Sequence, residues 1–282
     1  MSVLLHIADT HFGTERRPVV EALLALAAQQ QPDLVVLAGD VTQRARPAQF
    51  RAAKAFVDRL GAPVLAVPGN HDIALFDPWA RLTRPYARWA EVFGADLEPV
   101  HASADLLVVG VNTTRAWRHK NGEVSAAQID RVAGLLAAAS PQQLRVVVVH
   151  QPAAVTRASD RANLLHGHQA ALHAWSVAGA DLVLGGHIHL PYTLAAQGLA
   201  RRLWVIQAGT AVSSRTRAEV PNSVNILRWG EAPGVRDHPA QCGSAAGRHC
   251  LVEQWDFVRH DRSFVRRTVT PVQPERNLAQ DS

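Results

Sequence analysis

Five apolar or glycine-led runs along this chain each stop at a side chain of the metal-binding kind, and no other feature restricts its fold so tightly. Residues 3–8 run into Asp9, with His11 two positions on, and residues 34–37 run into Gly39-Asp40. Residues 64–67 lead to Gly69-Asn70-His71, residues 146–149 to His150, and residues 182–184 to Gly185-Gly186-His187, with His189 beyond. Between them lie segments of helical spacing. Residues 18–31 carry Val20, Leu23, Leu24 and Ala27 behind a proline suited to a first turn, and residues 48–60 stop at Gly61. Strands alternating with helices imply an α/β fold with parallel strands and right-handed crossovers. The carboxyl ends of such strands share one edge, where ligands bind. Residues far apart in sequence are thereby brought to one cleft.

Residues 76–93, with Pro78, Trp79, Pro85, Tyr86, Trp89 and Phe93, break the rhythm and read as a helical excursion over one edge. A strand resumes at 106–111, and Ser125-Ala126-Ala127-Gln128 is a capping box opening a helix through Ala139. Beyond Pro191, strands at 203–208, 224–229, 251–258 and 263–269 follow one another without helices. They predict a more antiparallel second sheet from about residue 200, stacked on the first. Residues 231–249, rich in Gly, Pro, Ala and Ser, read as a long loop, and the polar tail 271–282 as frayed. Residues 1–270 are expected to form one domain.

Hydrophobic residues at 48% and charged residues at 19% exclude disorder as the main state. The net charge of +5 comes from arginines scattered singly or in pairs, with only Lys54 and Lys120 as lysines, which argues against a nucleic-acid partner. Cys242 and Cys250 cannot make a disulfide framework and point to a reducing compartment. The first residues lack a basic leader, and no run approaches the ~18 apolar residues of a membrane helix. A cytoplasmic protein without a membrane span is expected.

Each strand-end residue has an ordinary reading by itself. Gly39-Asp40 is a common turn, Gly69-Asn70-His71-Asp72 another, and His150 could be a core histidine bonded to a carbonyl. All five in this order, each closing a strand, are not accounted for by chance turns. His166-Gly167-His168 serves as a control, because its spacing matches His187-x-His189 but it opens a helical segment instead of closing a strand.

Through Asp9-x-His11, Gly39-Asp40, Gly69-Asn70-His71-Asp72, His150 and Gly186-His187-x-His189, the chain resembles the calcineurin-like metallophosphoesterases, and within them bacterial class III 3′,5′-cyclic-nucleotide phosphodiesterases. The resemblance implies a four-layer α/β/β/α sandwich of two mixed sheets flanked by helices. It also implies two metal ions, one held by Asp9, His11 and His189, the other by Asn70, His150 and His187, with Asp40 bridging both. Oxygen and imidazole donors without thiolate suit Mn²⁺ or Fe²⁺/Fe³⁺, and Zn²⁺ also fits. His71 would be catalytic, stabilising the transition state or protonating the leaving oxygen. Asp72 would orient that imidazole or cap a helix start. The implied reaction is hydrolysis of a small phosphodiester by a metal-bridging hydroxide. Two divalent ions, two carboxylates and a hydroxide leave a site of formal charge about +1 to meet a diester of −1. The chain departs from many relatives at Gln151, where they carry a second histidine.

Residues 112–119 follow a strand and border the expected cleft. Trp117 could stack on a base and Arg115 or Arg118 contact phosphate; a solvated loop with one packed Trp is the other reading. Arg215 and Arg217 are comparable candidates. Cyclic nucleotides are the first substrate expectation. Glycerophosphodiesterase, nucleotide pyrophosphatase and DNA-repair-type nuclease are alternatives, and a non-catalytic scaffold of the same fold is the alternative of another class. A homodimer is left open.

Overall fold

The alternation read from the sequence is present in the computed structural model, which describes residues 1–75, 77–218, 220–231 and 248–275. It begins β1 (Ser2–Ile7), α1 (Arg17–Gln30), β2 (Leu34–Ala38), α2 (Pro47–Val57) and β3 (Val64–Val67). The excursion consists of α3 (Pro78–Thr83) and α4 (Ala87–Phe93). Next come β4 (Val100–Ala102), β5 (Leu106–Gly110), α5 (Ala126–Ala137), β6 (Leu144–Val148), α6 (His168–Val177), β7 (Leu182–Gly185), β8 (Tyr192–Ala195) and β9 (Trp204–Gln207). Three long strands close the series: β10 (Ser223–Glu231), β11 (Arg248–Val258) and β12 (Ser263–Val272). The capping box opens α5 as read, with Ser125 Oγ accepting from the Gln128 N–H.

These strands form two mixed sheets, in the orders β12-β11-β10-β1-β2-β3 and β4-β5-β6-β7-β9-β8. This corrects the expected partition. The second sheet is built from β4 to β9, so it starts near residue 100 instead of 200, and the late strands enlarge the first sheet. The reason is edge chemistry. Strands joined without helices pair antiparallel, and β1, paired with β2 on one side, offers its other edge to β10. Pro271 and Val272, expected to fray, extend β12 opposite Leu251 and Cys250. Cys242, most of the expected 231–249 loop and the last seven residues lie outside the described residues.

Period-two alternation divides each strand between two cores. Leu34, Val36 and Ala38 of β2 face the other sheet, together with Leu144, Val146 and Val148 of β6 and Leu182 and Leu184 of β7. Val35 and Leu37 face α1 and α2, packing with Leu23, Phe50 and Phe56. Across the molecule, Val147 and Val183 meet Val132, Leu136, Leu172 and Trp175 of α5 and α6. The result is the helix–sheet–sheet–helix stack that the resemblance implied. No helix of the described residues is long and apolar enough to cross a membrane.

Candidate metal centre

The two sheets deliver their strand ends to one place. His187 N donates to Asp9 Oδ2 at 2.8 Å, and His150 Nδ1 donates to the Ala38 carbonyl at 2.9 Å; each bond crosses from one sheet to the other. The backbone turns sharply here. Asp9, His11, Asp40, His187 and His189 all have φ between 42° and 73°, the left-handed region that costs side-chain-bearing residues energy. Gly69 has no room for a side chain, because a Cβ there would lie 2.0 Å from Asp40 N and 2.2 Å from its Oδ1. The strain is concentrated on the candidate ligands.

Two donor clusters result. His189 Nε2 is 3.4 Å from Asp9 Oδ1 and 3.1 Å from His11 Nε2, which lies 3.8 Å from Asp40 Oδ2. On the other side, His150 Nε2 lies 3.3 Å from both Asp40 Oδ1 and Asn70 Oδ1, with His187 alongside. Donors around a metal bound at ~2.0–2.2 Å sit roughly 3.0–3.5 Å apart, so these spacings fit ions better than direct contacts. The buried Asp9 Oδ1 and both ring nitrogens of His187 have no hydrogen-bond partner, although buried polar atoms are normally satisfied. Asp40 has one carboxylate oxygen toward each cluster. The residues fit two ions, and all seven sequence candidates for ligation converge here.

Ring nitrogens turned away from the clusters are fixed by backbone carbonyls: His150 Nδ1 by Ala38, His189 Nδ1 by Arg215 at 2.6 Å, and His71 Nδ1 by Gln43 at 2.8 Å. Such bonds set the tautomer and aim Nε2 inward. Burial would raise the Asp40 carboxyl, but His150, His71 and His11 hold it well below the usual carboxylate range. Burial likewise opposes a charge on His150, yet Asp40 pushes it up to about 9. His187, its ring nitrogens shut off from solvent beside His150, falls to about 3 and is a neutral donor.

Asp72 takes the second of its expected roles, capping the start of the short 3₁₀ turn Asn70–Asp72 through the Gly69 N–H, and it does not orient His71, whose Nδ1 bonds the Gln43 carbonyl. Its carboxylate accepts from the backbone N–H groups of Val41, Thr42 and Gly69 and from Thr42 Oγ1, tying the loop after β2 to the loop after β3. Burial and the charge of Asp40 push it up to about 6. Arg115 and Arg118 are also corrected. Arg115 binds the carbonyls of Asn112 and Thr114 and the Gln128 side chain, and Arg118 pairs with Glu123. Both hold their own loop together and do not line the cleft. Trp117 is 74% exposed, outside the cleft wall.

The cleft, a cavity of ≈ 490 Å³, is walled instead by His119 and Lys120 from that loop, by Asp160, and by Arg215 and Arg217. His119 lines the cleft, although nothing in its flanking residues marks it as a site residue. Gln43 was missed as well; its carbonyl orients His71, and its Oε1 accepts from Arg215 at 3.1 Å. Gln151, fully buried, accepts from Thr113 Oγ1. His168, from the control motif, bonds the Leu165 carbonyl and joins no metal-type cluster among the described residues.

Residues 2–191 match the family model described as calcineurin-like phosphoesterase. The chain belongs to the calcineurin-like phosphoesterase family. Among curated members, it is 30% identical over 204 residues to a cAMP/cGMP dual specificity phosphodiesterase of Mycobacterium tuberculosis, a match covering 66% of this chain and 61% of that protein. A glycerophosphodiester phosphodiesterase of Enterobacter lignolyticus is 34% identical over 83 residues, covering 25% of this chain and 29% of the relative. The matches thus span less than two thirds of either relative. Among solved structures, a dimetal phosphatase from Danio rerio superposes with a TM-score of 0.65 at 14% identity, covering 97% of this chain and 99% of that one, a likeness of fold.

Proposed function

We propose that this chain is a dinuclear metal-dependent phosphoesterase acting on a small phosphodiester, with 3′,5′-cyclic nucleotides as the leading substrate class. The observation that carries the reading is the pair of donor clusters sharing Asp40, with Asp9 Oδ1 in one and the His187 ring nitrogens in the other buried without a hydrogen-bond partner. Asp9, His11, His189 and Asp40 would hold one ion, and Asp40, Asn70, His150 and His187 the other. Ions of the Mn²⁺, Fe²⁺/Fe³⁺ or Zn²⁺ type, when bound, supply Lewis acidity to the phosphoryl oxygens and acidify a water for in-line attack.

The chain's own residues do the rest. Asn70, the one neutral oxygen donor of the set, keeps the second cluster from accumulating negative charge that would repel the ester. His71, anchored through Nδ1 to Gln43, turns Nε2 to the cleft, where it stabilises or protonates the departing alkoxide. The mycobacterial relative supports a cyclic nucleotide, and the shorter Enterobacter match supports glycerophosphodiesters as the second substrate class.

The test is a screen of phosphodiesters and monoesters with Mn²⁺, using protein purified without chelator and assayed for metal content. Two ions per chain and turnover of a cyclic nucleotide are expected. Turnover of other diesters alone would overturn the cyclic-nucleotide assignment and leave the phosphoesterase. Protein without metal and without hydrolysis would leave a scaffold.

A further inference from the structure

Arg215 has two separate jobs available to it. Its main chain belongs to the scaffold: the N–H donates to Ser213 Oγ at 3.0 Å, and the carbonyl accepts from His189 Nδ1 and Thr210 Oγ1. Its side chain goes elsewhere. Nη1 lies 3.1 Å from Gln43 Oε1, 3.3 Å from His71 Nε2 and 3.3 Å from His11 Nδ1. Among the described residues no carboxylate pairs with it, and Nε and Nη2 have no protein partner. Arg217, two positions on, is the contrast: Asp160, 5% exposed, holds its guanidinium at 3.1 Å and cancels its charge.

A guanidinium stays charged at any working pH. One held against the imidazoles of a cation-binding centre, with no carboxylate partner and donors to spare, is placed to pair with an anion that enters the cleft. The spare donors suit phosphoryl oxygens, which accept paired N–H bonds. We infer that Arg215 is a ligand for a non-bridging phosphoryl oxygen and that it extends the site from monoanionic diesters to dianionic phosphomonoesters. This rests on the metal-centre reading above. A centre of formal charge about +1 matches a diester, and Arg215 raises it to about +2, the match for a monoester dianion. In the added reaction one water is consumed. A P–O bond to its oxygen forms as the P–O bond to the leaving group breaks. The alcohol departs with one of the water's protons, and the other remains on hydrogen phosphate.

The test compares Mn²⁺-loaded wild type, Arg215→Ala and Arg215→Lys, each assayed for two ions per chain and native thermal unfolding. Inorganic phosphate is titrated calorimetrically, and kcat/KM is measured for nitrophenyl phosphate and bis-nitrophenyl phosphate. Loss of a charge-assisted hydrogen bond should weaken phosphate binding roughly 10–100-fold in Arg215→Ala. The monoester should lose about tenfold more kcat/KM than the diester, and Arg215→Lys should recover part of both. Lys at this position also keeps the comparison open should the alanine variant not fold. Phosphate affinity within about twofold of wild type with both ions in place, or equal losses on the two esters, would overturn the inference. So would a wild type that cleaves the diester and not the monoester. Wild type lacking metal overturns instead the metal-centre reading beneath it.

Discussion

Removing the Asp40 carboxylate should empty both metal positions, the second before the first. One of its oxygens faces His150 and Asn70, the other His11, so a single side chain serves both clusters. Asp9 remains as a carboxylate for the first position. The second has only Asn70, His150 and His187 left, none carrying negative charge. Losing an outer partner of a ligand already costs ~10–100-fold in metal affinity. Losing a charged ligand itself should exceed about 100-fold at the first position and more at the second, where it is the whole formal charge. In Asp40→Ala the His71 N–H, now 2.8 Å from Asp40 Oδ1, is also left unpaired, which should cost the metal-free protein ~1–3 kcal/mol. Asp40→Asn keeps an acceptor there and isolates the charge. The assay is metal content by mass spectrometry after dialysis against micromolar Mn²⁺, with urea unfolding of the EDTA-stripped proteins alongside. If either variant keeps one ion at full stoichiometry, the shared-carboxylate reading is wrong.

His71→Ala should keep its metals and lose ~10²–10⁴-fold in turnover on a poor leaving group, the scale of general-acid help, with a smaller loss on nitrophenol esters; equal losses on both would favour charge stabilisation instead. Trp117, exposed beside the cleft, should act through stacking if it acts at all. A base–aromatic stack of ~1–3 kcal/mol predicts that Trp117→Ala raises KM for a cyclic nucleotide about tenfold and leaves a nitrophenyl diester unchanged, whereas equal responses would make it a packing residue. Finally, burial pushes His6 down to about 3. Its unfolded form takes up a proton below pH 6.5 while the folded form stays neutral, so stability is complete above that pH and falls toward pH 3 at ~1.4 kcal/mol per unit. Between pH 6.5 and 5, EDTA-stripped wild type should lose about 1.6 kcal/mol more than His6→Gln in urea unfolding, and parallel slopes would refute this.

The candidate ligand set was legible because each strand end that supplies it follows a short buried run. Apolar alternation marks a strand, a strand's end marks an exposed edge, and Asp, Asn or His at five such ends leaves few structures other than a shared cleft. All of this information is local. The opening of α5 was readable for the same reason, since Ser125 and Gln128 cap within one turn.

What lay beyond the sequence depended on competition between distant groups. Every strand presents the same backbone donors and acceptors, so nothing in residues 223–272 marks β1 as their neighbour; the free edge left by the other strands decided it. Arginine side chains are similarly uncommitted until their surroundings are fixed. Arg118 finds Glu123 five residues away and is lost to the site, while Arg215 reaches His71 across 144 positions and enters it. Asp72 looked suited to His71 because it is adjacent, but three donors from the loop after β2 and the Gly69 N–H of its own turn claim its carboxylate first. Residue type and strand position thus determined which atoms could bind metal. Only the folded chain decided which charges remain available for phosphate, because a charge is available only where nothing nearer has already paired with it.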